Sequence, residues 1–301
     1  MSSPTRTVTG DTLFRAVTAG FAGAIIVLFA AILIALWQQS QPSIKAFGIH
    51  FLTDTVWNPV TDRFGAWIPI FGTLVTTLLA LLVAVPLSLG IALFLAELAP
   101  AWMRAPFGTA IELLAAIPSI VYGMWGLFVL APIMADHIQP WLQQTIGGPL
   151  FAGPTMGIGM LTAGLVLALM IIPFIASVTR DVFLMVPQNL KESAYGLGCT
   201  TWEVVRDVMI PYGKKGVAGA VFLGMGRALG ETMAITFVIG NAYHLSWSLL
   251  APGNSIASTL ANEFTEADSD LYLSSLIELG LVLFLITFLV LAVAQWWLQR
   301  G

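Results

Sequence analysis

Lys191-Glu192-Ser193-Ala194-Tyr195-Gly196-Leu197-Gly198, followed after nine residues by Val208-Met209-Ile210-Pro211, forms a long polar passage in an otherwise apolar chain. The residues describe a short helix with Glu192 near its N-terminal end, where a carboxylate suits the positive end of the helix dipole. Gly196, Gly198 and the small Ala194 leave room for another surface to come close. Trp202, Val205 and Val208 then recur at helical spacing, with Glu203, Arg206 and Asp207 on other faces. Pro211 is expected to end that second helix. Two readings fit these features: an amphipathic hairpin packed beneath its own membrane domain, or a docking surface for a second protein.

The composition around this passage excludes a soluble domain. Of 301 residues, 58% are hydrophobic and 9% charged, against about 25% charged in soluble domains. The single cysteine, Cys199, rules out an intrachain disulfide and is read as a small packing residue. The first apolar stretch is too long for a cleavable signal peptide and lacks a small-residue cleavage site. Stretches at 14–37, 68–96, 108–134, 157–178, 217–241 and 272–298 reach the roughly 20 apolar residues that cross a bilayer. They are continuously apolar rather than alternating, so the expected fold is an all-α membrane protein with six transmembrane helices. Pro86, Pro118 and Pro173 fall inside spans, where neighbouring helices tolerate them as kinks. Trp37, Trp67, Trp102, Trp141, Trp296 and Trp297 sit near span ends, as an interfacial aromatic belt requires.

Basic residues set the orientation. Arg6, Arg15, Arg104, Arg180, Lys191, Arg206, Lys214, Lys215 and Arg300 fall on one side of the spans, and only Lys45 and Arg63 on the other. Both termini, the tail at 1–13 and the loop at 180–215 therefore face the cytoplasm. Arg180 and Asp181 at the mouth of that loop are expected to be solvated, and Glu112 to sit as an interfacial carboxylate. Outer loops at 38–67, 136–156 and 242–271 either cap the helices or seat an external protein. His50, His137 and His244 are scattered over separate outer loops, so no metal site is expected.

The fifth stretch reads Gly224-Met225-Gly226-Arg227-Ala228-Leu229-Gly230-Glu231-Thr232. If helical throughout, Arg227 and Glu231 share one face. Each charge would cost roughly 2.5–3.5 kcal/mol at the bilayer centre unless partnered or facing water. Small residues recur every fourth position at Gly216, Ala220, Gly224, Ala228 and Thr232, with a second row at Gly226, Gly230 and Ala234, which lets another helix approach closely. Either a buried ion pair that fixes register or a substrate pathway accounts for the charges. The glycines lack the surroundings of a dinucleotide fingerprint, and no phosphate-cradling Gly-x4-Gly-Lys-Ser/Thr loop occurs.

The order and spacing of the polar passage resemble the cytoplasmic loop of ABC importer permeases, whose pattern is Glu-Ala-Ala, three residues, Gly, nine residues, Ile-x-Leu-Pro; here Ser193, Val208 and Ile210 depart from it. Glu112-Leu-Leu-Ala-Ala-Ile-Pro118-Ser119-Ile-Val-Tyr122-Gly123 and the Gly226–Thr232 segment resemble the permeases of phosphate-specific importers, over nearly the whole chain. The resemblance implies a type I ABC importer permease-like fold spanning 14–298 in a bacterial cytoplasmic (inner) membrane. It also implies one half of a phosphate pathway, with no catalysis in this chain. Arg227 and Glu231 map onto the family's candidates for handling phosphate, and Glu192, Ala194, Gly198 and Pro211 onto its ATPase-coupling loop. The implied partners are a second homologous permease, a cytoplasmic ATPase dimer that binds ATP and magnesium, an extracytoplasmic phosphate-binding protein and membrane lipid, with no nucleic acid. Glu231 is expected either to hold Arg227 until phosphate competes for it, or to accept a hydrogen bond from protonated phosphate. Permeases for phosphonate or another oxyanion remain an alternative. So do an ion-coupled secondary transporter with the Arg-Glu pair as relay and, more remotely, a membrane-embedded enzyme.

Overall fold

The computed structural model describes residues 7–300. Residues 1–6 of the expected tail, with Arg6, lie outside the described residues, as does the side chain of Arg300. Residues 7–13 are not tail but the start of α1 (Thr7–Gln39). At about 1.5 Å per residue this helix is roughly 50 Å long. It is exposed along most of its length and rests on α15 (Asp270–Arg300), where the rings of Phe29 and Phe284 lie 4.7 Å apart. After it, α2 (Gln41–Phe47), α3 (His50–Thr53) and a hairpin of β1 (Trp57–Asn58) and β2 (Arg63–Phe64) make a small outer layer. Trp57 pairs with Phe64 across this antiparallel hairpin. Asn58 caps the intervening turn by accepting from Val60 N–H at 3.0 Å.

The centre of the molecule is α4 (Trp67–Leu93) packed on α9 (Met160–Leu184). Small residues make this contact close: Ala80 and Ala84 are fully buried, and a Cβ at Gly164 would meet Leu79 Cβ at 2.7 Å. Pro86 and Pro173 lie inside these helices, and Ser88 Oγ donates to the Ile172 carbonyl at 3.1 Å, tying the helices at that level. A π turn at Phe94–Leu98 extends α4 and forms its foot.

Two proline and glycine positions redraw the expected spans. Pro118 does not kink a helix but separates two. α5 (Ala101–Ala115) ends before it, and α6 (Ser119–Trp125) begins after it. The ring of Pro118 drives the preceding residue out of helical geometry. The third crossing helix therefore runs Ser119–Thr145 through two π turns, α7 (Ala131–Ile133) and α8 (Gln139–Thr145), rather than over 108–134. The outer loop expected from 136 starts only after it.

Beyond α9 come α10 (Gln188–Gly196) and α11 (Thr201–Val204). A π turn at Val205–Met209 joins α11 directly to α12 (Ile210–Leu229). Pro211 thus lies inside one continuous helical run, not at its end. The wider π turn beside it interrupts the regular bonding ladder where proline has no N–H to give.

The run stops at Gly230, and only a short α13 (Met233–Thr236) follows. The expected span at 217–241 is therefore broken. Among the described residues five helices are long and apolar enough to cross a membrane, and α12 with Lys214, Lys215 and Arg227 is not one of them. The chain then loops back: Gly159 N–H donates to the Val238 carbonyl at 2.9 Å and Leu161 N–H to Leu249 at 2.8 Å. α14 (Ile256–Glu263) leads into α15.

Candidate functional site

Arg227 sits on the last turn of α12, and Glu231 sits just past its end. Gly230 closes the helix, so the two residues do not share one helical face. Glu231, 9% exposed, turns onto the following segment, where a carboxylate oxygen accepts from Ala234 N–H at 3.2 Å. Arg227 forms no ion pair among the described residues, and its buried Nε has no hydrogen-bond partner. The Arg–Glu pair that the sequence allowed is not formed. The Tyr122 hydroxyl of α6 donates to the Leu114 carbonyl at 2.9 Å.

Glycine lets α6 close over the break. A Cβ at Gly123 would meet Phe237 at 2.9 Å and the Ala234 Cα at 3.0 Å. The small-residue row of α12 packs on α9 of the same chain. A Cβ at Gly216 would strike Val182 at 2.6 Å, one at Gly224 would strike Ile175 at 2.6 Å, and Ala220 and Ala228 are buried. Of the second row, Gly226 faces α15, where a Cβ would meet Leu291 at 3.6 Å, whereas Ala234 lies against Gly123 of α6. Arg227, on the helix that packs on α9 and α15, thus has a buried Nε that no acceptor among the described residues satisfies. Such an arrangement can bind an anion supplied from elsewhere.

The loop region is built around residues that no local spacing connects. Glu97, in the π turn at the foot of α4, accepts from Lys191 Nζ at 2.9 Å and from the Tyr195 hydroxyl at 3.0 Å. The side chains of Lys191 and Glu97 are 8% and 14% exposed, so this is a buried clamp holding α10 to the membrane domain. Glu192 lies mid-helix and exposed, not in the first turn of α10. Ala194 is buried, and its carbonyl accepts from Cys199 N–H at 3.1 Å. Gly198 has φ +90°, which explains its glycine, and a Cβ there would meet nothing within 4 Å.

Thr200 then caps α11 in a box with Glu203, whose carboxylate the Thr200 N–H and hydroxyl hold below the usual glutamate range. Val205 and Met209 face inward, whereas Trp202 is 63% exposed, so the expected apolar face of Trp202, Val205 and Val208 is not a single buried face. Leu197 and Trp202, on either side of Gly198 in the chain, are left open as apolar surface. Arg180 is not solvated as expected. Its side chain is 15% exposed and bonds Glu112 of α5 at 2.9 Å and Asp181 at 2.8 Å.

Two further carboxylates escaped the sequence reading. Glu263, at the end of α14, accepts from Trp57 Nε1 at 2.5 Å, from Tyr272 at 2.7 Å and from Tyr243. Burial, with this carboxylate adding to it, raises the pKa of Tyr243. Glu278 lies on α15, 7% exposed, near the Ser43 hydroxyl, which itself accepts from Ser275, and one carboxylate oxygen has no partner among the described residues. Of the partners of Glu263, Trp57 lies far away in sequence and the two tyrosines stand in separate segments, so no helical or strand spacing announces the cluster. Glu278 could have been found as a lone carboxylate inside an apolar stretch.

Comparison with known proteins adds the family. A model described as binding-protein-dependent transport system inner membrane component matches residues 88–300, which include the α9–α12 region, Arg227 and Glu231. A phosphate transport system permease protein PstC of Mesorhizobium japonicum is 56% identical over 295 residues, covering 96% of this chain and 90% of that protein. The protein so named in Pasteurella multocida is 58% identical over 295 residues, covering 96% of this chain and 92% of its own length. Among solved structures, a bacterial alginate ABC transporter in complex with a pentasaccharide-bound periplasmic protein aligns with TM-score 0.61 at 15% identity, covering 95% of this chain and 94% of that one. An inward-facing MetNI methionine ABC transporter aligns at 0.57 and 15% identity, over 81% of this chain and 99% of the other. At such identities the likeness concerns the fold alone.

Proposed function

Because this chain belongs to the phosphate transport system permease proteins of the PstC type, within the binding-protein-dependent transport system inner membrane components, we propose that it is the multi-pass inner-membrane permease subunit of an ATP-driven phosphate importer. It would form half of the pathway together with a second, homologous permease. ATP and magnesium would be bound by a cytoplasmic ATPase dimer, and phosphate delivered by an extracytoplasmic binding protein. The chain itself would perform no catalysis. Both termini and the loop at 180–215 would face the cytoplasm.

The observation that carries this reading is the unpartnered Nε of Arg227 beside the break at Gly230. A charge held inside a membrane domain without a partner is costly, and such charges mark substrate paths. A phosphate crossing this level would meet a planar fork of donors already desolvated on one edge. Glu231 spends one acceptor position on Ala234 N–H and keeps others, and a protonated phosphate can donate to one of them. An anion without a proton, such as sulfate, cannot. The relay of a secondary transporter would need the two charges to exchange a proton or pair, and here Glu231 turns onto Ala234 N–H while Arg227 forms no ion pair among the described residues.

Coupling would run along the helix. From Thr201 to Arg227 the chain is helical without interruption, about 39 Å at 1.5 Å per residue. An ATPase seated on the open surface around Glu192, Gly198 and Trp202 would therefore push one end of the rod whose other end carries Arg227. The Lys191–Glu97 clamp would keep α10 from sliding on its own. Ala194 would support the loop from beneath, and Pro211 would mark where the rod enters the membrane domain.

The test is phosphate uptake into vesicles holding the complete transporter. Uptake that needs both ATP on the loop side and the binding protein on the other is expected. Uptake by this chain alone, driven by a proton gradient without ATP, would overturn the reading.

A further inference from the structure

A groove runs between α1, α12 and α15. Its main cavity, about 570 Å³, is walled by Phe29 of α1, Gly230 at the end of α12, and Phe284, Phe288 and Leu291 of α15. A second cavity of about 470 Å³ shares Gly280 and Leu283 with it and continues towards α14. At the opposite end lies a smaller cavity of about 100 Å³, walled by Lys214, Lys215, Trp297 and Leu298. Phe284, Phe288, Leu291, Gln295 and Leu298 follow one another at steps of four and three, so they form one stripe down α15. The floor of the groove is therefore continuous from the apolar cavity to the basic one.

We propose that this groove is a binding site for an anionic phospholipid, with the headgroup phosphate on Lys214, Lys215 and Trp297 and an acyl chain along the α15 stripe. Length supports the fit. From Leu298 to Phe284 the helix rises about 21 Å, more than the roughly 15 Å of hydrocarbon in one leaflet. The chemistry of the two ends supports it as well. The wall of the large cavity offers water almost no hydrogen-bond partners, so a hydrocarbon tail fills it better than water does. Lys214 and Lys215 are exposed and have no acidic partner among the described residues. The nearby Arg206 and Asp207 are satisfied by one another at 2.8 Å. A tryptophan beside two free ammonium groups, at the mouth of an apolar cleft between helices, matches an anionic headgroup at the interface. The inner end of the tail would touch Gly230, so a bound lipid would brace the turn that separates Arg227 from Glu231.

Native mass spectrometry of the assembled, delipidated transporter, titrated with phosphatidylglycerol or phosphatidylethanolamine of identical tails, tests this. Wild type is expected to retain phosphatidylglycerol about tenfold or more tightly, on the order expected for two lysines near an anionic headgroup. The double variant Lys214→Gln, Lys215→Gln should bind both lipids equally. Ala292→Phe, which fills the main cavity, should weaken both and keep their order. Equal retention of the two lipids by wild type would overturn the proposal, as would a preference that survives the double lysine variant. Displacement of the lipid by inorganic phosphate alone would make the basic cavity a free-anion site and overturn it too. Lipid bound to the separate chain but lost on assembly would make the groove a subunit interface, with the same consequence.

Discussion

Glu263 and Arg227 are charges held in the two halves of the same membrane domain, and they are treated in opposite ways. Glu263 draws hydrogen bonds from Trp57, Tyr243 and Tyr272, so one carboxylate pins the β1–β2 hairpin, the loop after α13 and the start of α15 together. Stacking of Trp57 on Tyr243, with ring centroids 5.8 Å apart, closes the same cluster. Arg227 has none of this: its Nε is buried and empty-handed, at a place where the helix stops. A charge whose bonds are all made within the chain fastens structure, because moving it breaks several bonds at once. A charge left open keeps its bonding capacity for something that arrives and leaves. The Lys191–Glu97 pair belongs with Glu263, as a fastening at the opposite end of the molecule.

The contrast can be broken at its strongest point by Glu263→Ala. This variant strands three donors, at about 1–3 kcal/mol for each that stays buried. A large fall in the thermal unfolding temperature of the purified transporter is expected, and an unchanged temperature would mean that the outer cluster fastens nothing. Lys191→Met leaves the Glu97 carboxylate without its cation, a loss of about 3–5 kcal/mol for a buried pair. Adding Glu97→Gln to it should recover part of that loss, which a double-mutant cycle would read. Strict additivity would show two solvated charges instead.

Gly198→Ala costs about 1–2 kcal/mol locally, since the backbone there is left-handed. Its sharper readout is co-purification of the ATPase, which should drop while the membrane domain stays folded. The smallest effect concerns pH. The bonds from Thr200 depress the Glu203 carboxyl, so the cap is complete above the ordinary glutamate value of about 4.3 and is lost as pH falls through the lower folded value. Emission of the neighbouring Trp202 should change only below about pH 4. A midpoint above that would show that the capping box is absent in solution.

The sequence exposed what is periodic and hid what is not. The long apolar stretches and the row Gly216, Ala220, Gly224 and Ala228 could be read because helix packing repeats every few residues, and that row does meet a helix, α9. The Arg227–Glu231 pairing failed because a spacing of four means one face only while the helix lasts, and Gly230 ends it. Pro118 and Pro211 were misjudged in opposite directions. The first stands between α5 and α6, where its ring bars helical geometry for the residue before it, and the second stands beside a π turn that already rearranges the bonding. Glu97 with Lys191, and Glu263 with Trp57, bridge distant parts of the chain, and no local pattern can encode such a meeting. Glu278 was legible as a lone carboxylate in an apolar run, but its serine neighbours were not.

The central claim is that Arg227 is kept open for the transported anion. It is tested most directly by phosphate uptake through the assembled, ATP-energised transporter carrying Arg227→Gln, beside a check that the complex still forms and still hydrolyses ATP. Loss of a desolvated charged donor predicts uptake reduced by roughly thirtyfold or more, about 2 kcal/mol or greater, with the complex intact. Uptake at the wild-type rate in that variant would contradict the account.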